Sequence, residues 1–141
     1  MYKILAAIRP EDTQLMRKVM GMEFEVAVCT TLAEAQAALA PDIAMIACGV
    51  HFDDGRMFDL LKYVKDDARF CDIPFWGLLH DNGVLSVEIT RGIRTAMKTL
   101  GAKGLFNLSQ LSVNGAHGPD REAVYRELRK AVLQSLSQAG S

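Results

Sequence analysis

The chain alternates short, uninterrupted apolar runs with longer stretches whose apolar positions recur every three or four residues. The first pattern is that of a strand covered on both faces, and the second that of a helix covered on one. Residues 2–8 (Tyr-Lys-Ile-Leu-Ala-Ala-Ile) predict a buried first strand. Pro10 suits the first turn of a helix, where its missing N–H is not needed, and Glu11 and Asp12 favour the positive end of that helix's dipole. Leu15, Val19 and Met20 supply its apolar stripe, and Gly21 stops it. Residues 22–29 alternate and then run apolar, which reads as a strand near a sheet edge. Thr31-Leu-Ala-Glu34 fits a capping box. The Ala-rich helix it opens runs to about Ala40, with Leu32, Ala35 and Leu39 inward.

Residues 41–55 are the centre of the pattern. Ile43 to Cys48 is a short apolar run, followed by the turn-prone segment His51-Phe52-Asp53-Asp54-Gly55 and then by Met57, Leu60, Leu61 and Val64 at helical spacing. Ile73 to Leu79 predicts a fourth strand, with Pro74 acceptable at its start. A helix over about 85–100 is expected to bury Ile89, Ile93, Met97 and Leu100 and to end at Gly101. Lys103 to Asn107 gives a short fifth strand. Residues 109–119 form a loop rich in Ser, Asn and Gly. Pro119-Asp120 opens a last helix with Val124, Leu128, Ala131 and Val132 inward, and residues 138–141 read as a frayed tail. Strands alternating with helices imply one parallel sheet with helices on both faces, a three-layer α/β/α sandwich. The flavodoxin-like strand order 2-1-3-4-5 is the commonest five-stranded solution, and it gathers functional residues in the loops at the carboxyl ends of the strands. Those loops hold Arg9, Glu11 and Asp12; His51, Asp53 and Asp54; His80 and Asp81; and Asn107.

With 141 residues the chain makes a single domain, 1–141, able to bury a real core. A net charge of −1 argues against a nucleic-acid partner or an anionic membrane surface, each of which favours a large positive excess. The three cysteines, Cys29, Cys48 and Cys71, form no CxxC and no zinc spacing, so reduced thiols in a cytoplasmic protein are expected. No apolar run approaches the roughly 20 residues of a membrane span.

The stretch 41–55 resembles the third strand and following loop of response-regulator receiver domains (CheY-like). Those read Pro-Asp, four apolar residues, the phosphoacceptor Asp, then a short loop ending in Asp-Gly. Pro41-Asp42 and Asp54-Gly55 fall in register at both ends, and Ile73-Pro74 and Gly101-Ala102 extend the frame. The chemistry positions depart from the family. The acceptor position is Ala47, whose methyl cannot form an acyl phosphate. The acidic pair that holds Mg²⁺ is replaced by Ile8 and Arg9, which supply no oxygen ligands. The switch Ser or Thr matches Leu79, or His80 with a one-residue slip, and the phosphoryl-contacting Lys matches Leu108. The resemblance therefore implies a degenerate, pseudo-receiver member of a two-component or phosphorelay system. Such a module transduces signals through protein–protein interaction without phosphorylation at the usual site and without enzymatic activity.

Several readings compete at the sheet edge. Arg9 could take the place of the metal ion and pair with Asp53 or Asp54, or it could be an exposed arginine beside a helix start. Glu11, Asp12, His51, Asp53, Asp54 and His80 offer enough ligands for a divalent ion, but with no diagnostic spacing, so neither a metal nor a cofactor is assigned. The same crevice could hold a small ligand, making the protein a sensor or an enzyme. Cys48 is either a redox thiol activated by Arg9 or a small buried residue. Arg91, Arg94 and Lys98 on the fourth helix, and Arg126, Arg129 and Lys130 on the fifth, form a candidate interaction surface. The resemblance implies a kinase, a regulator or a second copy of the chain as the partner there. The alternative is an ordinary solvated face. The 109–119 loop is a partner epitope, a lid or a tolerated insertion.

Overall fold

The computed structural model describes residues 2–21, 24–80 and 85–107, together with 126, 129, 130, 132–134 and 136. The predicted loop 109–119, the tail 138–141, Leu108, and the inward positions Val124, Leu128 and Ala131 lie outside the described residues.

Five parallel strands form one sheet in the order β2-β1-β3-β4-β5, the order expected from the sequence. They are β1 (Tyr2–Ala7), β2 (Phe24–Cys29), β3 (Met45–Gly49), β4 (Phe75–Leu79) and β5 (Gly104–Asn107). The helices between them are α1 (Thr13–Met20), α2 (Leu32–Ala38), α3 (Met57–Asp66) and α4 (Val87–Thr99). Residues 126, 129, 130, 132–134 and 136 are helical as well. Registers such as Ala6↔Ala47, Ala7↔Cys48 and Cys48↔Gly77 align the carboxyl ends of the three central strands.

Strand periodicity divides the core into two layers. Leu5, Ala7, Ile46, Cys48 and Phe75 face α2, α3 and α4, where they meet Ala35, Leu60, Leu61, Val64 and Met97. Ile4, Ala6, Met45, Ala47 and Leu78 face the other way, against Met16 and Met20 of α1 and the C-terminal Val132 and Leu136. Met16, absent from the predicted stripe, is buried with Val19 and Met20.

Local chemistry explains the element ends. The capping box is present in full: Thr31 accepts from the Glu34 amide, and the Glu34 carboxylate accepts from the Thr30 and Thr31 amides. These bonds, which also include the Thr30 hydroxyl, hold the Glu34 carboxyl below its usual range. Pro10–Asp12 forms a separate 3-10 turn ahead of α1 instead of the helix's own first turn.

One predicted core residue is corrected. Ile89 is 54% exposed. At about 1.5 Å per residue the 13-residue α4 is about 20 Å long, whereas the four residues of β5 span about 13 Å. The first turn of α4 therefore overhangs its strand and carries Ile89 and Val87 into solvent. Among the described residues, Met97 is the buried anchor of α4, with Ile93 and Leu100 half-buried.

Candidate functional site

The carboxyl ends of β1, β3 and β4 bring together the segments that the sequence marked. Ile8 is 2% exposed and Ala47 is fully buried, so the floor of this corner is apolar. Leu79 is also buried, at the end of β4.

Arg9 organises the rim. Its Nε donates to Asp12 Oδ2 at 2.9 Å, and its Nη2 donates to the His80 carbonyl at 2.8 Å. Asp12 Oδ1 lies 3.1 Å from His80 Nδ1. A cation, a carboxylate and an imidazole thus close a ring that ties the β1–α1 turn to the end of β4. The partner of Arg9 is Asp12, so neither the pairing with Asp53 or Asp54 nor the exposed, unpaired arginine that the sequence left open is what the fold contains. The 3-10 turn places Asp12 three residues on, beneath the guanidinium. Asp53 is committed elsewhere: its Oδ2 accepts from the Leu32 amide at 2.8 Å, capping the start of α2 from across the sheet edge.

The loop that carries Asp53 is unusual. Asp53 (φ 44°), Asp54 (φ 57°) and Gly55 (φ 87°) take left-handed conformations in succession. Aspartate tolerates that region better than most residues, and glycine adopts it freely, which accounts for the Asp-Asp-Gly run. Asp54 is exposed and points to no shared centre, as does Glu11. Among the described residues, no three His, Cys, Asp or Glu side chains come together as a metal site. The six sheet-edge residues therefore divide. Asp12 and His80 join Arg9, and His51 lines the same pocket, while Asp53 is structural and Glu11 and Asp54 face solvent.

That pocket is a shallow, open-mouthed depression whose enclosed space holds about one water molecule. Its wall is apolar, built from Leu15, Met16 and Val19 of α1 with Ile8, Val50 and Leu78. Arg9, Asp12, His51 and His80 supply its polar side chains. The contribution of α1 was not apparent from the sequence, where its stripe read only as core.

Cys48 does not fit a redox role. It is fully buried, and burial pushes its thiol well above the ordinary value, away from the thiolate that such chemistry needs. Its Sγ–H instead lies 3.7 Å from the Gly49 carbonyl. Burial also raises the Cys29 thiol, helped by the nearby Glu34 carboxylate.

The surface residues differ in kind. Arg91 and Lys98 are exposed on α4 and Arg94 is half-buried, while Arg126 and Lys130 are exposed. Arg129 has a structural task. Its Nη1 donates to the Lys18 carbonyl at 2.9 Å and to the Val19 carbonyl at 3.0 Å, holding the last turn of α1. Among the described residues, no helix is long and apolar enough to cross a membrane.

No family model matches the sequence, and no curated protein does. Solved structures do match. A response regulator receiver domain protein (CheY-like) from Methanospirillum hungatei JF-1 superposes with a TM-score of 0.67 at 13% identity, covering 99% of this chain and 97% of that one. The phosphorylated cyanobacterial phytochrome response regulator RcpA gives 0.65 at 16% identity, covering 92% and 90%. The chemotaxis response regulator CheY4 of Vibrio cholerae gives 0.61 at 19% identity, covering 96% and 98%. The chain has the CheY-like receiver fold.

Proposed function

We propose that this chain, built on the receiver fold, is a signal-transduction module that works through protein–protein contact and is not phosphorylated at the usual position. The observation that carries the reading is the apolar, internally paired corner. Ala47 stands where the resemblance places the acceptor, Ile8 is buried beside it, and Arg9 is held by Asp12 and the His80 carbonyl. An acyl phosphate needs a carboxylate nucleophile and a divalent ion to neutralise the transferred charge. An alanine methyl cannot serve as the nucleophile, and an isoleucine and an arginine offer no oxygen ligand to hold the divalent ion. On this reading the protein is cytoplasmic and is not an enzyme.

Output then depends on the exterior. Val87 and Ile89 stand out from opposite sides of the first turn of α4, 68% and 54% exposed, with the exposed Arg91 on the side of Val87. The Val87 side of α4, apolar at its start and cationic beyond, has the composition of a docking patch for a kinase, a regulator or a second copy of the chain. Arg94 and Lys98 continue this side along α4, and Arg126 and Lys130 are exposed farther along the chain.

Intact mass after incubation with a small-molecule phosphodonor and Mg²⁺ tests the reading. The expected result is an unchanged mass. A gain of one phosphoryl group at an aspartate, Asp53 and Asp54 being the nearest candidates, would overturn it.

A further inference from the structure

The flank of α4 opposite Val87 is apolar and carries an exposed glycine. We infer that it joins two copies of this chain, which pair through antiparallel α4 helices crossing at Gly92, with α3 of each copy bordering the contact. At about 100° per residue, Ile89, Gly92, Ala96 and Thr99 share one stripe of the helix. Ile89 is 54% exposed, Gly92 and Thr99 are exposed, and Ala96 is half-buried. α3 packs closely against α2, whereas among the described residues no helix packs as closely against α4.

Gly92 has no task inside the chain. It lies in the interior of a 13-residue helix, where glycine is less favourable than every residue but proline. Nothing lies within 4 Å of a Cβ built on it, so no internal contact requires its small size. A glycine does let a second backbone approach closely, which a side chain would hold off. Thr99 Oγ1 already donates to the Thr95 carbonyl at 3.0 Å, so covering it strands no donor.

The neighbouring helix points to a second copy as the occupant. A Cβ built on Gly101, just past α4, would lie 3.2 Å from Lys65 Cε of α3. Phe58, two turns before Lys65, is half-buried on the same flank, so this flank of α3 faces α4. The two helices run the same way on one face of the sheet, so α4 turns its Ile89 flank toward α3. A helix laid on that flank lies along the groove between them. Lys62, one turn past Phe58, is exposed beside the groove toward its Lys65 end, and Glu88 is exposed at the far end of α4. An antiparallel second α4, centred midway between Gly92 and Ala96, sets each Gly92 against the other copy's Ala96. It carries each Glu88 to the level of the other copy's Leu100, across the groove from that copy's Lys62. One surface thus supplies both halves of a two-fold contact, small against small and acid against base. A parallel copy would set Glu88 against Glu88. The contact uses neither the Val87 side nor the Arg9 corner, so it stands or falls apart from the docking patch and the phosphodonor assay.

Sedimentation equilibrium of the full chain from about 1 µM to about 1 mM tests it, and a monomer–dimer equilibrium is expected. Ile89→Asp, which places an unpaired charge in the contact, should weaken the dimer by at least about tenfold, whereas Val87→Asp should leave it within about twofold. Gly92→Gln should raise the urea midpoint of the dilute monomer, since glutamine favours helix, and yet weaken the dimer by at least about tenfold. A glycine with a purely internal role would not give both results. Glu88→Lys and Lys62→Glu should each weaken the dimer by about threefold or more, and the double variant should recover the parent affinity. A chain monomeric throughout would overturn the inference, as would a dimer unaffected by Ile89→Asp or Gly92→Gln. A dimer broken by Val87→Asp instead would place the contact on the other flank, and a double variant that stays weak would refute the antiparallel pairing.

Discussion

Gly77 sits in the middle of β4 on the face that receives α4. A Cβ built there would lie 2.5 Å from Met97 Cε, 3.0 Å from Met97 Sδ and 2.8 Å from Leu105 Cδ1. Real side chains do not approach so closely. A flexible methionine could ordinarily swing aside, but Met97 is fully buried, so it has no open space to enter. Gly77→Ala should therefore force α4 outward. Overpacking of this kind costs about 1–3 kcal/mol, offset by about 0.4–1 kcal/mol from the stiffer unfolded chain. The net loss expected is about 1–2 kcal/mol. Met97→Ala alone should cost about 2–5 kcal/mol, since it removes the buried anchor of α4 and leaves a cavity.

The two effects should not add. In the double variant the new methyl at position 77 occupies space that Met97 has vacated, and only the Leu105 contact remains too close. The double variant should be at least about 1 kcal/mol more stable than the sum of the single losses, well outside the few tenths expected of independent sites. Urea unfolding read by Trp76, the chain's single tryptophan, measures all four proteins, with far-UV circular dichroism as a second probe of two-state behaviour. A Gly77→Ala variant as stable as the parent, or a cycle that closes additively, would refute the argument that Gly77 sets the seat of α4.

Gly104→Ala should also destabilise by about 1–3 kcal/mol, because its Cβ would meet Trp76 Cζ3 at 2.8 Å and disturb the ring's stacking on Phe106 at 4.5 Å; a shift in Trp76 emission should accompany the loss, and unchanged emission would contradict it. Asp53→Ala should cost about 1–2 kcal/mol through loss of the α2 cap and of a residue suited to positive φ, whereas Asp53→Asn should recover most of that in the same urea titration. Arg129→Ala should cost about 0.5–1.5 kcal/mol and increase amide exchange in the last turn of α1, a pattern that a purely surface arginine would not give. For Cys48 the folded pKa lies above the ordinary value of 9.0, so above pH 9 the unfolded chain loses a proton that the fold retains, and stability falls as pH rises; Cys48→Ala should flatten that decline in urea midpoints taken from pH 7.5 to pH 10. Lys65, depressed by burial, acts in the opposite direction below its ordinary 10.5 and is common to both proteins, so the difference between them isolates the thiol.

The fold was legible because its signals are local and mutually consistent. Apolar runs such as Ile43–Cys48, the capping box at Thr31 and Glu34, and Gly21, Gly55 and Gly101 at positive φ each specify an element or its end. What escaped the sequence depends on neighbours distant in the chain. Periodicity places Ile89 and Met97 on one stripe, yet strand length decides that only Met97 is covered. Charge pattern offers Arg9 several carboxylates, yet the backbone turn selects Asp12 and the α2 amide claims Asp53. Arg129 reads as a surface cation until the end of α1 is set beside it, about 110 residues earlier in the chain. Gly77 and Gly104 carry no turn signal at all. Their reason is a side chain on another element.

The same distinction bears on how the corner came to be apolar and paired. In a receiver with an acidic pocket, clustered carboxylates repel one another until a cation arrives, so the empty pocket is held under electrostatic strain. Here a cation is part of the chain: Arg9 is bonded to Asp12 and to the His80 carbonyl, and Ala47 of β3 puts a buried methyl in the floor beside it. The Asp12 carboxylate is neutralised within the fold itself. The His80 carbonyl held by Arg9 follows directly on β4, so the pairing that neutralises Asp12 also ties the β1–α1 turn to the end of that strand.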